Sequence, residues 1–286
     1  KIKIINKINE GVSEARNYGI KIAKGNYILF LDGDDYFEKD LLYNLYKIVI
    51  NKDIDILFFK FKTFNSISSV VEQDYDTFEL LSYINKDFLY TEIFDPKCAH
   101  KFNYGTPWGK LLSRNLLIKN KIFFDINLPR TQDRVFMLDC CYHAHIIKKY
   151  NYSGYIYNYN EESICQKYNV NLWEKLLLVY QKFYNKCIYY KILEKYKNVL
   201  DKMLVSFYFE SLSLQIFHHD NEQPIYLKIK YASKIYKQYI KSKIKKLNIY
   251  DFDGFRKLFV ICMKCHMKIL VYASFIIKDF FKQYRK

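Results

Sequence analysis

Between Gly11 and Asp35 a helical hydrophobic period gives way to a short buried run that ends in carboxylates, and this switch constrains the fold more than any other feature. In "GVSEARNYGIKIAKG" Ala15, Tyr18, Ile22 and Ala23 recur at helical spacing; Ser13 is placed to cap the helix and Gly25 to end it. "NYILFL" is too short for a helix and is bounded by Gly25 and Gly33, so it reads as a buried strand. "KIKII", residues 1–5, alternates basic and apolar and reads as another strand. Strand, helix and strand in that order form a parallel α/β unit. The unit delivers Asp32, Asp34 and Asp35 to the C-terminal end of a strand, where open α/β sheets bind ligands.

Three carboxylates in four residues repel one another unless a partner neutralises them. A hard divalent cation takes oxygen ligands, and magnesium accepts one or two carboxylates together with substrate phosphates. Gly33 permits the tight bend. Two readings stand on the residues alone: half of a metal–diphosphate site, or an acidic loop with Asp34 or Asp35 capping the next helix. An EF-hand is excluded, because the later ligands and closing Glu are missing at their offsets.

Further along, Leu41 to Val49 reads as a helix and "DIDILFFKFKTF" as a strand. "TPWGKLLSRNLLIKNKIFFD" reads as loop, helix and short strand, "DRVFMLDCCYHAH" as a helix and "YSGYIYNYN" as a strand. From about Asn171 Gly and Pro almost vanish and Lys/Tyr/Leu/Ile patterns suggest several helices. A boundary is therefore expected near 165–172. Charge divides there too: residues 171–286 hold 23 Lys+Arg against 9 Asp+Glu, whereas residues 1–170 hold 23 against 21. The net +16 has a bland source in A/T-rich codons, but codon bias does not explain an excess confined to one half. Seven scattered cysteines and no apolar leader fit a reduced, cytoplasmic chain, and no run is long enough to span a bilayer.

Residues 9 to 42, "NEGVSEARNYGIKIAKGNYILFLDGDDYFEKDLL", resemble the heart of glycosyltransferase family 2, the GT-A fold enzymes. The matching residues are Asn9, Gly11, Ala15-Arg16-Asn17 and Asp32-Gly33-Asp34, with "PWGKLLSRNLLIKNKIFF" and "TQDRVF" downstream. The resemblance implies an α/β, GT-A-like (Rossmann-like) mixed sheet lacking its first strands, followed by a C-terminal helical region. On it, residues 1–168 are a partial GT-A catalytic domain and residues 169–286 a basic α-helical region. Family members begin with two further strands that carry base and ribose recognition, so the chain is expected to be truncated at its N-terminus. A second departure is Gln132, where the family has Glu.

The resemblance further implies a metal-dependent inverting transferase, moving sugar from a nucleotide donor, a UDP-sugar, to a glycan or lipid-linked acceptor. Its setting would be bacterial surface polysaccharide, lipopolysaccharide or capsule synthesis. Asp32 and Asp34 would bind donor and Mn²⁺ or Mg²⁺, Asn9 and Arg16 would lie against the donor, and Asp133 would be the general base. Trp108 and Lys110 would line the acceptor side, although Trp108 serves equally as a core residue, Arg16 as a surface residue and Asp133 as a helix-start carboxylate. The rival function is an inactive remnant acting as a binding or scaffold module.

Other constellations carry less. "CMKCH" matches a c-type haem pattern but lies inside a helical stretch. Cys140, Cys141, His143 and His145 share one helix, where neighbours point apart, which disfavours zinc. His218-His219-Asp220 ends a helix. Basic residues interleave with aromatics in the second half, yet no nucleic-acid motif is recognisable, and nucleic acid is not expected as a partner. The C-terminal stretch is apolar around most of its circumference, with a stripe of Lys257, Lys264, Lys268 and Lys282. Such a helix packs in its own domain or lies peripherally on an anionic membrane, here the inner face of the cytoplasmic membrane.

Overall fold

The computed structural model describes residues 2–65, 70–71, 79–81, 84–95, 102–159 and 167–283. It divides into two units, Lys1–Glu161 and Glu162–Lys286. The first contains, in order, α1 (Val12–Ile22), β1 (Tyr27–Leu29), β2 (Tyr36–Phe37), α2 (Leu41–Val49), β3 (Ile56–Asn65), β4 (Val70–Val71), β5 (Leu80–Leu81), α3 (Lys86–Phe94), β6 (Lys110–Ser113), α4 (Arg114–Lys119), α5 (Gln132–His143) and β7 (Ile147–Tyr159).

The sheet runs β1-β6-β3-β7-β2, with β4 against β3 and β5 against β7. Its centre is the parallel pair β3–β7, and the other pairs are antiparallel. This is the mixed α/β sheet that the resemblance implies. In β3, Ile56, Leu57, Phe58 and Phe59 are all buried, so both faces of the sheet are covered. Leu57 and Phe59 join Leu41 and Leu45 of α2 in one core, while Phe58 meets Tyr104 edge-on on the other side. Gly109 precedes β6 at φ 69°, and its carbonyl accepts from the Phe59 amide at 3.0 Å; that left-handed backbone suits glycine.

Four local expectations are corrected. Residues 2–5 of "KIKII" form no strand: residues 2–10 run without sheet partners among the described residues, and Ile2 and Ile4 are exposed. Alternation becomes a strand only where a neighbour takes up its backbone groups, and β1 pairs with β6 instead. β1 therefore lies at the edge of the described sheet, not inside a parallel unit. The helix α1 follows Gly11 at φ 88° with no side-chain cap, Ser13 is buried inside it, and Ala23 rather than Gly25 closes it. "KLLS" is the strand β6 and "KIFFD" is not a strand, which reverses the expected order of helix and strand.

The second unit is helical: α6 (Leu172–Tyr189), α7 (Leu193–Ser211) continuing as a π-helical turn Leu212–Ile216, α8 (Ile225–Ile235) passing through Tyr236–Ile240 into α9 (Lys241–Lys246), then α10 (Gly254–Lys264) and α11 (Lys268–Gln283). Its core includes Tyr208, whose hydroxyl donates to the Ala232 carbonyl at 3.0 Å and meets the Tyr272 hydroxyl at 2.9 Å. Lys243 donates to Asp201 and to the Tyr180 hydroxyl, so this buried carboxylate is paired. No helix among the described residues is long and apolar enough to cross a membrane.

Candidate active site

Arg16 projects from α1 between two acids distant in sequence. Its Nη2 donates to Asp32 Oδ1 at 2.6 Å and its Nη1 to Asp133 Oδ1 at 2.7 Å. One planar guanidinium thus joins the turn after β1 to the first turn of α5. Beneath it lies an aromatic floor. The guanidinium sits 5.3 Å from the Phe124 ring centroid, Phe124 stacks on Phe136 at 3.9 Å, and Phe30 meets both edge-on. Asn17 fixes this floor: its amide donates to the Phe124 carbonyl at 2.9 Å and accepts from the Phe124 amide at 2.7 Å. That side chain supplies the pairing a strand would have given Phe124.

Burial pushes the Asp133 carboxyl above its ordinary range, and the Arg16 charge pulls it back. Asp133 also occupies the first turn of α5, where the helix dipole favours negative charge. Beside it, Gln132 Oε1 is buried without a hydrogen-bond partner among the described residues.

The three acids of the turn separate into different environments. Asp35 is buried: it accepts from the Tyr155 hydroxyl and from the Asn158 amide at 2.9 Å, and burial raises its pKa. The same tyrosine oxygen accepts from the Asp32 amide at 3.3 Å. Asp35 therefore anchors the turn and caps nothing; α2 begins instead after Asp40. Asp34 is exposed and makes no hydrogen bond or ion pair among the described residues. Asp32 has one oxygen on Arg16. A cavity of about 580 Å³ opens here, lined by Val12, Arg16, Leu31, Asp32 and Gly33. A larger groove of about 1180 Å³, lined by Asn26, Asp55 and Arg114, lies at the opposite end of β1, away from these acids.

Asn9 is exposed just before α1, where its Oδ1 accepts from the Gly11 amide at 3.1 Å. Trp108 is 6% exposed and Lys110 1% exposed, so neither presents a free face. The indole stacks on Tyr155 at 4.7 Å and on Tyr157 at 5.8 Å. Lys110 Nζ donates to the carbonyls of Asn103 and Trp108, and burial lowers its pKa to about 7. Two structural residues escaped sequence reasoning. Tyr155 holds the acidic turn from 120 residues away, and Arg134 donates to the last carbonyls of α3, Ile93 and Phe94. Nothing local marks either, because their partners are remote in sequence.

Oxygen donors suit a hard cation, and the uncommitted Asp34 carboxylate with the second oxygen of Asp32 fits that chemistry. Among the described residues the only His/Cys/Asp/Glu group with converging ligand atoms is His218, His219 and Asp220, in the second unit. Its imidazoles stack at 4.1 Å and 25°. A metal lies in the plane of each imidazole that binds it, so near-parallel rings do not share one readily. Cys140 and Cys141 are buried in α5, and burial raises both thiols, Cys141 to about 12.

Residues 1–119 match the family model described as glycosyl transferase family 2. The chain is 29% identical over 191 residues to the uncharacterized glycosyltransferase EpsJ of Bacillus subtilis, covering 65% of this chain and 54% of that one. It is 30% identical over 132 residues to the glycosyltransferase GlyA of Streptococcus pneumoniae, covering 44% and 18%. It spans 58% of another Bacillus subtilis relative, so it covers little more than half the length of such proteins. The crystal structure of Staphylococcus aureus TarS 1–349 in complex with UDP-GlcNAc superposes with a TM-score of 0.51 at 19% identity, over 98% of this chain and 72% of that one. At that identity the likeness speaks for the fold, a mixed sheet followed by helices. What these comparisons give is a similarity of residues 1–119, the stretch that carries Arg16, Asp32 and Asp34, to glycosyl transferase family 2.

Proposed function

We propose that the chain is the catalytic part of a metal-dependent, inverting glycosyltransferase. The donor is a nucleotide sugar, a UDP-sugar, and the acceptor a glycan or lipid-linked glycan of a bacterial surface polysaccharide. The observation that carries this reading is the Arg16 bridge, which brings Asp32 and Asp133 to one guanidinium although they are 101 positions apart. The names of similar proteins support it: TarS is a poly(ribitol-phosphate) beta-N-acetylglucosaminyltransferase, and one TarS structure holds UDP-GlcNAc.

In this reading Asp133 takes the proton of the acceptor hydroxyl. Burial raises its pKa, which strengthens it as a base, and the Arg16 charge opposes that rise. Attack from the face opposite the leaving group is a single displacement and inverts the anomeric centre. Asp34 and Asp32 would hold Mn²⁺ or Mg²⁺, which, when bound, supplies Lewis-acid stabilisation to the leaving diphosphate. Arg16 and Asn9 face the donor, and the Asn9 amide nitrogen makes no hydrogen bond among the described residues. Trp108 and Lys110 act from beneath the acceptor side, holding Tyr155 and the backbone around Asn103 in place.

The test is nucleotide release from a panel of nucleotide sugars with Mn²⁺, comparing the chain with its Asp133→Asn variant. Turnover should fall roughly 10²–10⁴-fold while metal-dependent donor binding persists. Undiminished turnover in the variant would remove Asp133 from catalysis. Neither binding nor release with any donor would favour the scaffold reading.

A further inference from the structure

The helices α10 and α11 are apolar on two sides. Their inner sides are core: Phe259, Val260 and Met263 from α10, and Val271, Tyr272 and Phe275 from α11, are buried. Phe209 of α7 meets Phe255, Phe259 and Phe275 edge-on. The outer side of α11 is aliphatic and uncovered, with Ile269 72%, Leu270 61% and Ile277 55% exposed. Leu270 and Ile277 are seven positions apart, two helical turns, so they lie on one stripe. Leu258 of α10 is exposed as well.

Basic residues dominate these elements, with Asp279 the one acid of α11. Gly254–Lys278 contains five Lys+Arg and no Asp or Glu. Arg256 and Lys278 are exposed. Lys264 is spent inside the fold, donating to the Leu247 carbonyl at 2.5 Å, and the Lys282 side chain lies outside the described residues. Lys257 and Lys268 of the lysine stripe are half-buried, and the fully exposed basic groups here are Arg256 and Lys278.

We infer that the outer side of α10 and α11 docks on an anionic lipid interface, with Ile269, Leu270 and Ile277 entering the acyl boundary and Arg256 and Lys278 meeting acidic headgroups. A second copy of the chain is disfavoured, because the exposed charges of this side, Arg256 and Lys278, are both cationic and residues 171–286 carry a surplus of +14. Single-stranded nucleic acid is disfavoured, since its bases stack on aromatic platforms and the exposed large hydrophobic residues of α11, among those described, are the aliphatic Ile269, Leu270 and Ile277. A bilayer surface offers hydrocarbon and negative charge together. With no helix among the described residues able to span, the contact is peripheral. The inference is independent of the sugar-transfer reading, because its readout is lipid binding.

The full chain should sediment with vesicles of mixed phosphatidylglycerol and phosphatidylcholine, and much less with phosphatidylcholine alone or in high salt. The Ile269→Glu/Leu270→Glu variant should bind at least about tenfold more weakly, with an unchanged circular-dichroism melt showing that it folds. Arg256→Glu/Lys278→Glu should weaken binding to the acidic vesicles alone. Three results would overturn the inference: wild type that does not sediment, variants that bind like wild type, or concentration-dependent dimers that the Ile269/Leu270 substitutions dissolve while vesicle binding is absent.

Discussion

The Arg16 bridge is stable only while a cation stands between two acids, which gives it a pH signature. Asp133 has a folded pKa above its ordinary value, so stability from this group falls as pH rises through the interval between the two. Arg16 opposes that shift. Arg16→Met should raise Asp133 further and leave it repelling Asp32. The loss should be about 2 kcal/mol near neutrality, less than for a fully buried pair because the acids keep some solvent. It should shrink as pH falls through the carboxylate range, where protonation relieves the repulsion. Urea unfolding at neutral and mildly acidic pH measures this; an equal loss at both would assign Arg16's contribution to packing on Phe124 instead. Arg16, Asp32 and Asp133 were legible in the sequence because they lie in ordered motifs. The fate of Asp35 was not, since its partners Tyr155 and Asn158 follow 120 and 123 positions later.

Elements were legible where hydrophobic period alone decides them and illegible where a neighbour decides. The expected helix at Leu41 to Val49 is α2 residue for residue. β6 has no place in the expected order of loop, helix and short strand, because its pairing with β1 and β3 is remote in sequence; inside it Lys110 is buried with two carbonyls as acceptors. Residues 122–124 look like a strand, yet the Asn17 amide takes the backbone pairing at Phe124. β7 passes close over the start of α2 at Gly154. A Cβ on Gly154 would stand 2.2 Å from Leu41 Cδ1 and 2.9 Å from Tyr152 Cε1, and Leu41 is fully buried. Gly154→Ala should therefore cost about 1–3 kcal/mol through overpacking. Leu41→Ala alone should cost about 2–5 kcal/mol. The double variant should be more stable than the sum of the two losses by at least about 0.5 kcal/mol. Additive losses in urea melts would mean that the strand, not Leu41, resists the new methyl.

Across the whole chain the uneven charge was readable by counting, whereas the burial of one of those charges was not. These two facts act on stability over the same pH range and can be separated. Burial holds Lys110 at about 7 against an ordinary 10.5. A neutral amine has two N–H donors, matching its two carbonyl acceptors. Between those values the unfolded chain binds a proton that the folded chain does not, so stability rises with pH by up to about 1.4 kcal/mol per unit. Meanwhile the net charge declines from +16 toward zero at the pI near 9.3, and self-repulsion declines with it, which also raises stability. Salt distinguishes the two contributions: repulsion between exposed lysines is screened within about 10 Å at 0.1 M salt, while a buried amine is not. In concentrated NaCl the wild-type chain should keep a rise in unfolding free energy from pH 7 to 9. Lys110→Met should lose that rise, and in low salt it should retain only the screened part. If salt removed the wild-type rise altogether, Lys110 would titrate near its ordinary value and the two carbonyls would be holding an ammonium ion.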